Sequence, residues 1–152
     1  MSDSKNSLKS LYQRFIQIRG NPSEIAMGFS LGIFIGMSPT MGVQIFLAIL
    51  TASFLQWNKF SAVIGVFITN AFTAPIIYPF TYYIGALFLN SDADFNFPKE
   101  FSLEVVMVML KNAPTIFGAM TIGGIVTGIP LAILSYFAAF YLSKAYQNKR
   151  NR

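Results

Sequence analysis

Uncharged and mostly apolar residues fill three long stretches of this chain, and polar and helix-breaking residues interrupt the first two near their midpoints. The stretches cover residues 25–58, 60–91 and 112–143. Each one exceeds the roughly 20 apolar residues that span the hydrocarbon core of a bilayer. The pattern therefore predicts an all-α integral membrane protein.

The first stretch is interrupted at Ser38-Pro39-Thr40, because Pro39 has no N–H to donate and clashes with the preceding helical turn. Each half is about 15 residues long, or roughly 22 Å, which is shorter than the ~30 Å hydrocarbon core. We predict a re-entrant helical hairpin with residues 38–40 at its tip. The alternative is one long tilted helix that is kinked at Pro39.

The second stretch repeats this plan, with half-helices predicted over 60–68 and 76–89 and an interruption at 69–75. The fold prediction is therefore two pseudo-repeats of short broken or re-entrant helical hairpins. A separate short helix over 103–110 and a restart at Asn112-Ala113-Pro114 are expected to follow. The third stretch then forms a C-terminal transmembrane helix that Pro130 kinks.

The placement of Lys and Arg predicts the orientation of the chain. Residues 1–20 carry an apolar stripe with basic residues on other faces, which predicts an amphipathic helix in the membrane interface; a helix packed on a partner is the alternative. Residues 21–143 are expected to form a single polytopic membrane domain, with an external loop at 91–102. Residues 144–152 are expected to form a basic cytoplasmic tail, which would place both termini in the cytoplasm.

Composition removes several classes of function. The chain has no Cys and no His, so disulfides, thiol nucleophiles, imidazole catalysis and the usual zinc and haem ligands are excluded. Its positive charge lies at the membrane flanks and not in one patch, so nucleic acid is not an expected partner. The sequence has no nucleophile–base pair and no phosphate-binding glycine loop. We therefore expect no enzymatic activity, no cofactor and no metal site.

The candidate site consists of neutral polar residues at the two interruptions, because no ionisable side chain other than tyrosine lies inside the three stretches. The half-helix that begins after each interruption would present unpaired N–H groups, which suit the phosphate of an anionic lipid. The alternative is that these residues only satisfy each other and the freed backbone. The expected substrate-binding residues are Ser38, Thr40, Gln44, Thr69, Asn70, Thr73 and Tyr78, with Pro39 and Pro75 as helix breakers.

Glycines four residues apart predict faces where helices approach closely. The predicted helix-packing residues are Gly28, Gly32, Gly36, Gly124 and Gly128. These faces would pack either within the chain or across a homodimer. A few short helices make a thin wall for a transport path, so we expect a homo-oligomer.

Two motifs carry a resemblance to a known family. G-x-x-P-x-x-G-x-Q runs from Gly36 to Gln44, and N-x-x-T-x-P-x-x-Y runs from Asn70 to Tyr78. With Asn21-Pro22 and Gly85, they make residues 21–85 resemble the prokaryotic family catalogued as domain of unknown function 2062, whose pattern usually has proline where this chain has Ala71. The resemblance implies a small bacterial inner-membrane protein. The fusion of some members to glycosyltransferase-type domains implies a protein partner in envelope biosynthesis.

These observations predict a multi-pass protein of the bacterial inner (cytoplasmic) membrane, with membrane lipids as its partners. We expect it to bind an anionic lipid or lipid-linked metabolite at a site near the membrane midplane, with translocation as an extension of that function. The alternative is a non-transporting membrane scaffold or partner-stabilising subunit. An ion or water channel is disfavoured, because the stretches lack charged rings.

Overall fold

The computed structural model describes residues 20–40, 42–70, 72–89 and 103–150, with side chains described from residue 111 to 148 in the last range. These residues contain no strand, so the all-helical prediction is confirmed. The predicted interfacial helix (1–20, except Gly20) and external loop (91–102) lie outside the described residues. The helices are α1 (Pro22–Gly36), α2 (Gln44–Phe54), α3 (Lys59–Val66), α4 (Ala74–Phe88) and α5 (Leu103–Arg150).

Asparagine side chains cap the beginnings of α1 and α3. Asn21 Oδ1 accepts a hydrogen bond from the Ser23 N–H at 3.2 Å, and Asn58 Oδ1 accepts one from the Ser61 N–H at 2.9 Å. Each cap satisfies one of the N–H groups that a helix leaves unpaired in its first turn. The two caps therefore fix where the first and third helices begin.

The first interruption reverses the chain. Helix α1 ends at Gly36, and α2 packs back against it. The reversal passes through Gly42, whose φ of 98° lies in the left-handed region that glycine adopts without strain. After α2, the N–H of Asn58 donates to the carbonyl of Glu24 at 3.2 Å, so the chain has returned to the first turn of α1. Helices α1 and α2 thus form an antiparallel hairpin.

Helix α3 then runs parallel to α1, in backbone-to-backbone contact with it. A Cβ at Gly32 would overlap the carbonyl oxygen of Ala62, and a Cβ at Gly65 would overlap that of Phe29. Gly28 lies in the same way against the Asn58 carbonyl. Only glycine leaves room for such an approach, so these positions fix the crossing of α1 and α3.

Helix α5 is a single helix of 48 residues. The expected separate helix over 103–110 and the restart at Asn112-Ala113-Pro114 are therefore wrong. Pro114 removes one N–H from the helical ladder and clashes with one carbonyl, and the ladder continues on both sides of it. Pro130 also lies inside the helix, and the kink expected there stays a prediction.

Helices α1 and α4 both run antiparallel to α5. Gly85 of α4 lies against Ala119, and Gly123 lies against the carbonyl of Thr81. Further along α5, Gly124 and Gly128 lie against the end of α1. Helix α4 therefore continues in the direction of α3, and the second interruption breaks a helix without folding it back. The sequence predicted a second hairpin at this point. In the structure α4 packs against α5 and does not fold back on α3.

Alanines predominate among the buried apolar residues, beside Ile25, Ile33, Met37 and Val66, and many large apolar residues cover the outside of the bundle. Phe54 and Phe72, for example, are 88% and 90% exposed. Soluble proteins bury their large aliphatic and aromatic side chains. The exposure of such side chains here is the reverse of what is expected in water. Helix α5 is also long and apolar enough, from Lys111 to Asn148, to cross a bilayer. Among the described residues, the buried apolar positions include Ala26, Ala48, Ala52, Ala62, Ala74, Ala86, Ala119 and Ala139.

The crossing of α4 and α5 can be tested with two glycine-to-alanine variants. Gly85→Ala is expected to lower the free energy of unfolding by about 1–3 kcal/mol, because the new methyl group overlaps the Ala119 carbonyl. Gly118→Ala is the matched control, since a Cβ there meets nothing within 4 Å. Thermal unfolding of both variants in detergent measures the difference, and equal midpoints would contradict the crossing.

Candidate functional site

The two interruptions end in the same hydrogen-bonded turn. In residues 37–43, the Thr40 carbonyl accepts from the N–H groups of residues 43 and 44 at 3.1 and 3.0 Å. In residues 67–73, the Asn70 carbonyl accepts from those of residues 73 and 74 at 3.1 and 2.8 Å. The local backbone pattern therefore recurs thirty positions along the chain, although only the first interruption reverses its direction.

Asn70 and Thr73 bond reciprocally in the turn immediately before α4, whose own N-cap position is Thr73. Asn70 Oδ1 accepts from the N–H groups of Phe72 at 2.8 Å and Thr73 at 3.1 Å. Thr73 Oγ1 in turn accepts from the Asn70 N–H at 2.9 Å, as the two partners of a capping box do. The Asn70 amide also donates to the carbonyl of Phe67 at 3.2 Å. Both ends of this side chain are occupied by the local backbone.

This turn uses the N–H groups that were expected to bind phosphate at the beginning of α4. The N–H groups of residues 72 and 73 bond to the Asn70 side chain, and that of residue 74 bonds to its carbonyl. Those of Ile76 and Ile77 bond to the Thr73 carbonyl, and Pro75 has none to offer. In the structure every N–H of residues 72–77 already has a hydrogen-bond partner within the chain, and phosphate binding at this helix N-terminus stays a prediction. Pro75 lies in the first turn of α4, where a proline is tolerated, and so does not break the helix.

Gln44 and Thr69 join the two interruptions. Gln44, expected one turn into its half-helix, is the first residue of α2, and its Nε2 donates to the carbonyl of Thr69 at 3.2 Å. Gln44 is 7% exposed and Thr69 is 2% exposed. Gly36 leaves room beside them, because a Cβ at Gly36 would lie 2.9 Å from Thr69 Oγ1. This pair is the one place where described side-chain hydrogen bonds connect the two interruptions.

Three buried oxygen atoms of the predicted site have no hydrogen-bond partner among the described residues: Gln44 Oε1, Thr69 Oγ1 and the hydroxyl of Tyr78. Leaving a buried polar atom unpaired costs about 1–3 kcal/mol. Water or a ligand is expected to bind where a folded protein leaves a buried polar atom without a hydrogen-bond partner. The Gln44–Thr69 pair can therefore make further hydrogen bonds to a ligand, whereas the Asn70 and Thr73 side chains are already bonded to the local backbone.

Ser38 and Thr40 are occupied within their own interruption. Ser38 Oγ donates to the carbonyl of Ile35 at 2.6 Å and lies 2.9 Å from Thr40 Oγ1. Pro39 lies between them, after α1 has ended. The structure thus joins the predicted site residues in three pairs, Ser38 with Thr40, Asn70 with Thr73, and Gln44 with Thr69. Tyr78 makes no side-chain hydrogen bond to any of the three pairs.

The predicted glycine positions all lie against other helices or against the second interruption. Gly28 and Gly32 face α3, Gly36 faces Thr69, and Gly124 and Gly128 face the end of α1. Sequence reasoning missed the crossing of α4 and α5, where Gly85 and Gly123 lie. The signal was present, since Thr81 with Gly85 and Ala119 with Gly123 are pairs of small residues four apart.

The described residues thus define an all-helical bundle with one helix able to cross a bilayer and a buried, uncharged polar pair. The chain belongs to the family described as an uncharacterized protein conserved in bacteria, domain of unknown function 2062, whose family model matches residues 5–152. The resemblance predicted from residues 21–85 is confirmed. No curated protein and no solved structure matches the chain.

The capping role of Asn70 can be tested by stability. Asn70→Ala is expected to lower the free energy of unfolding by about 0.5–2 kcal/mol, the usual cost of losing an asparagine cap. Asn112→Ala is the matched control, because Asn112 is exposed inside α5 and alanine is the better helix former there. Thermal unfolding in detergent compares the two. An unchanged midpoint for Asn70→Ala would show that the cap is dispensable.

Proposed function

We propose that this chain is a multi-pass protein of the bacterial inner membrane that binds an anionic lipid or lipid-linked metabolite between its two interruptions, with translocation as an extension of that binding. We propose no catalytic step. The contact between Gln44 and Thr69 carries the proposal, because it joins the interruptions and leaves two buried oxygen atoms unpaired. Gln44 and Thr69 both lie in segments without a charged side chain. A ligand there would be recognised by neutral polar groups such as these two.

The outer surface supports placement in a membrane. Burying apolar surface away from water is worth about 25 cal/mol per Å², and the exposed Phe, Leu and Ile side chains of α2, α4 and α5 would forgo that gain in water. In lipid they are already in an apolar solvent. We propose that α1 and α2 form a re-entrant pair, that α3 and α4 together make one broken crossing, and that α5 makes the return crossing. Broken crossings of this kind are where membrane transporters place their binding sites.

A contact between the two ends of the described chain supports placing both termini on the same side of the membrane. Gln147 Nε2 in the last turns of α5 donates to the carbonyl of Gly20 at 2.9 Å. Lys144, Lys149, Arg150 and Arg152 lie at the same end of the sequence as Gln147, and four further basic residues precede Gly20. Because Lys and Arg concentrate on the cytoplasmic side, we propose that this end of the bundle faces the cytoplasm.

Cysteine labelling tests the topology, since the chain has no cysteine of its own. Asn148→Cys is expected to resist a membrane-impermeant maleimide in intact cells and to react after the membrane is permeabilised. Ser91→Cys, in the predicted external loop, is expected to react in intact cells. Labelling of both positions from the outside would contradict the proposed arrangement of crossings.

Lipid retention tests the binding site. Native mass spectrometry of the purified protein is expected to show a co-purifying phosphate-bearing lipid that Gln44→Leu loses, because leucine cannot bond to either interruption. Gln147→Leu is the matched control, since it makes the same change at the far end of the bundle. Equal and non-selective lipid binding by all three proteins would refute the proposal.

The scaffold alternative is less well supported than lipid binding. The glycine faces that a partner would use already lie against this chain's own helices and second interruption. A partner or a second copy would instead have to bind the large apolar side chains on the outside, such as Phe46 and Leu50 of α2. A homo-oligomer through that surface remains compatible with the proposed lipid site.

A further inference from the structure

The hydrogen bond between Gln44 and Thr69 fixes which end of the glutamine amide is free. Nε2 donates to the Thr69 carbonyl at 3.2 Å. Exchanging the two ends of the amide would place Oε1 against a carbonyl oxygen, and two acceptors repel each other. Oε1 therefore stays the unpaired atom, and it can only accept a hydrogen bond.

Thr69 Oγ1 is unlike most other hydroxyls of the bundle. Serine and threonine hydroxyls in helices commonly donate to a carbonyl three or four residues earlier. Among the described residues, those that do so include Ser30, Ser38, Thr73, Thr81, Thr121, Thr127, Ser135 and Ser143. Thr69, which follows the end of α3, makes no such bond and is 2% exposed. Its hydroxyl is therefore free both to donate and to accept.

The two free atoms limit the chemistry of the group that would bind between them. An ionised phosphate diester offers only acceptors, and it would repel Gln44 Oε1. A cation would find two neutral oxygens where hard cations such as Ca²⁺ take six or more. Residues 25–58 contain no charged side chain to offset a buried charge, which is costly to hold in an apolar environment. A neutral hydrogen-bond donor remains.

We propose that the Gln44–Thr69 pair binds a hydroxyl group of a glycerol-like or sugar-like head group. The ligand hydroxyl donates to Gln44 Oε1, and a neighbouring oxygen of the same head group exchanges a hydrogen bond with Thr69 Oγ1. This inference rests on the proposed function and names the part of the lipid or metabolite that is recognised, the hydroxyl and not the phosphate.

The pair is closed to solvent in the structure, so a ligand enters when the side chains around it move apart while Gln44 Nε2 stays bonded to the Thr69 carbonyl. Gln44 is 7% exposed and Thr69 2% exposed. The closed arrangement gains one side-chain hydrogen bond between the interruptions and leaves two buried oxygens unpaired. A ligand that satisfies both oxygens compensates for that movement, whereas a lipid without head-group hydroxyls does not.

The experiment compares two lipids of equal charge and identical acyl chains. Phosphatidylglycerol has two head-group hydroxyls, and phosphatidylmethanol has the same single negative charge and none. The protein is reconstituted in nanodiscs with equal amounts of both, and the retained lipid is measured by native mass spectrometry. The wild type is expected to prefer phosphatidylglycerol about tenfold, the factor for one hydrogen bond of about 1.4 kcal/mol.

Two valine variants assign that preference to the site. Thr69→Val keeps the shape of the side chain, removes only the hydroxyl, and is expected to lose the preference with no fall in thermal midpoint. Thr81→Val is the matched control, because Thr81 is equally buried and its hydroxyl bonds to the Tyr78 carbonyl in its own helix. It is expected to keep the preference. Adding free glycerol tests whether the site takes a soluble polyol or a lipid head group. Glycerol is expected to displace the lipid in the first case and to leave it bound in the second.

Each other outcome overturns the inference in a distinct way. Equal, Gln44-dependent retention of both lipids would show that phosphate is read, which refutes hydroxyl recognition and leaves the proposed function standing. A preference that survives in Thr69→Val would make the pair a packing device. A large fall in the thermal midpoint of Thr69→Val would show that its hydroxyl already has a partner in the protein. Retention of neither lipid by the wild type would count against the proposed function as well.

Discussion

At two helix crossings in this bundle, backbone carbonyls rest directly on glycine Cα atoms, and the remaining structure depends on that contact. Ala62 and Phe29 carbonyls face Gly32 and Gly65 between α1 and α3, and the carbonyls of Ala119 and Thr81 face Gly85 and Gly123 between α4 and α5. Each crossing is reciprocal, so a methyl group on either side would separate the helices. Close approach allows Cα–H···O contacts worth about 0.5–1 kcal/mol each and brings long rows of backbone atoms into dispersion contact. The position of the two interruptions beside each other follows from these crossings.

Packing by close approach explains why the interior is built from alanine. The cluster of Ala48, Ala52, Ala62 and Val66 lets α2 and α3 come together with side chains of few atoms. Where the solvent is hydrocarbon, burying a larger apolar residue brings little gain, because lipid tails are as apolar as leucine. Large residues are therefore free to face outward, and the buried volume is left to small residues and to a few hydroxyls and amides. The Ser61 hydroxyl, which donates to the carbonyl of Ile25 at 2.6 Å, shows how such a group ties two helices without adding bulk.

The sequence predicted the helical class, the places where the first two stretches are interrupted, and the glycines of α1 and α5, because proline and small residues act locally. It could not predict that the chain reverses at residues 37–43 and continues at 67–73, since both interruptions end in the same local turn and the direction of α4 depends on its packing against α5. It also could not separate Asn70 from Gln44. Both are neutral amides at an interruption, but Asn70 lies two and three residues before N–H groups that it can cap, and Gln44 points across to Thr69.

Helix α5 is synthesised after the other four described helices, and both α1 and α4 pack against it. Until α5 leaves the ribosome, α1 has only the partners of its own hairpin and α3, and the glycine at position 85 has no surface to meet. The placement of α4 relative to α1 is therefore fixed only after α5 has been made, because Gly123 lies against α4 and Gly124 lies against the end of α1. The unit of α1, α2 and α3, which holds the buried Gln44–Thr69 pair, is therefore complete in the sequence before α5, and α5 then joins α4 to that unit.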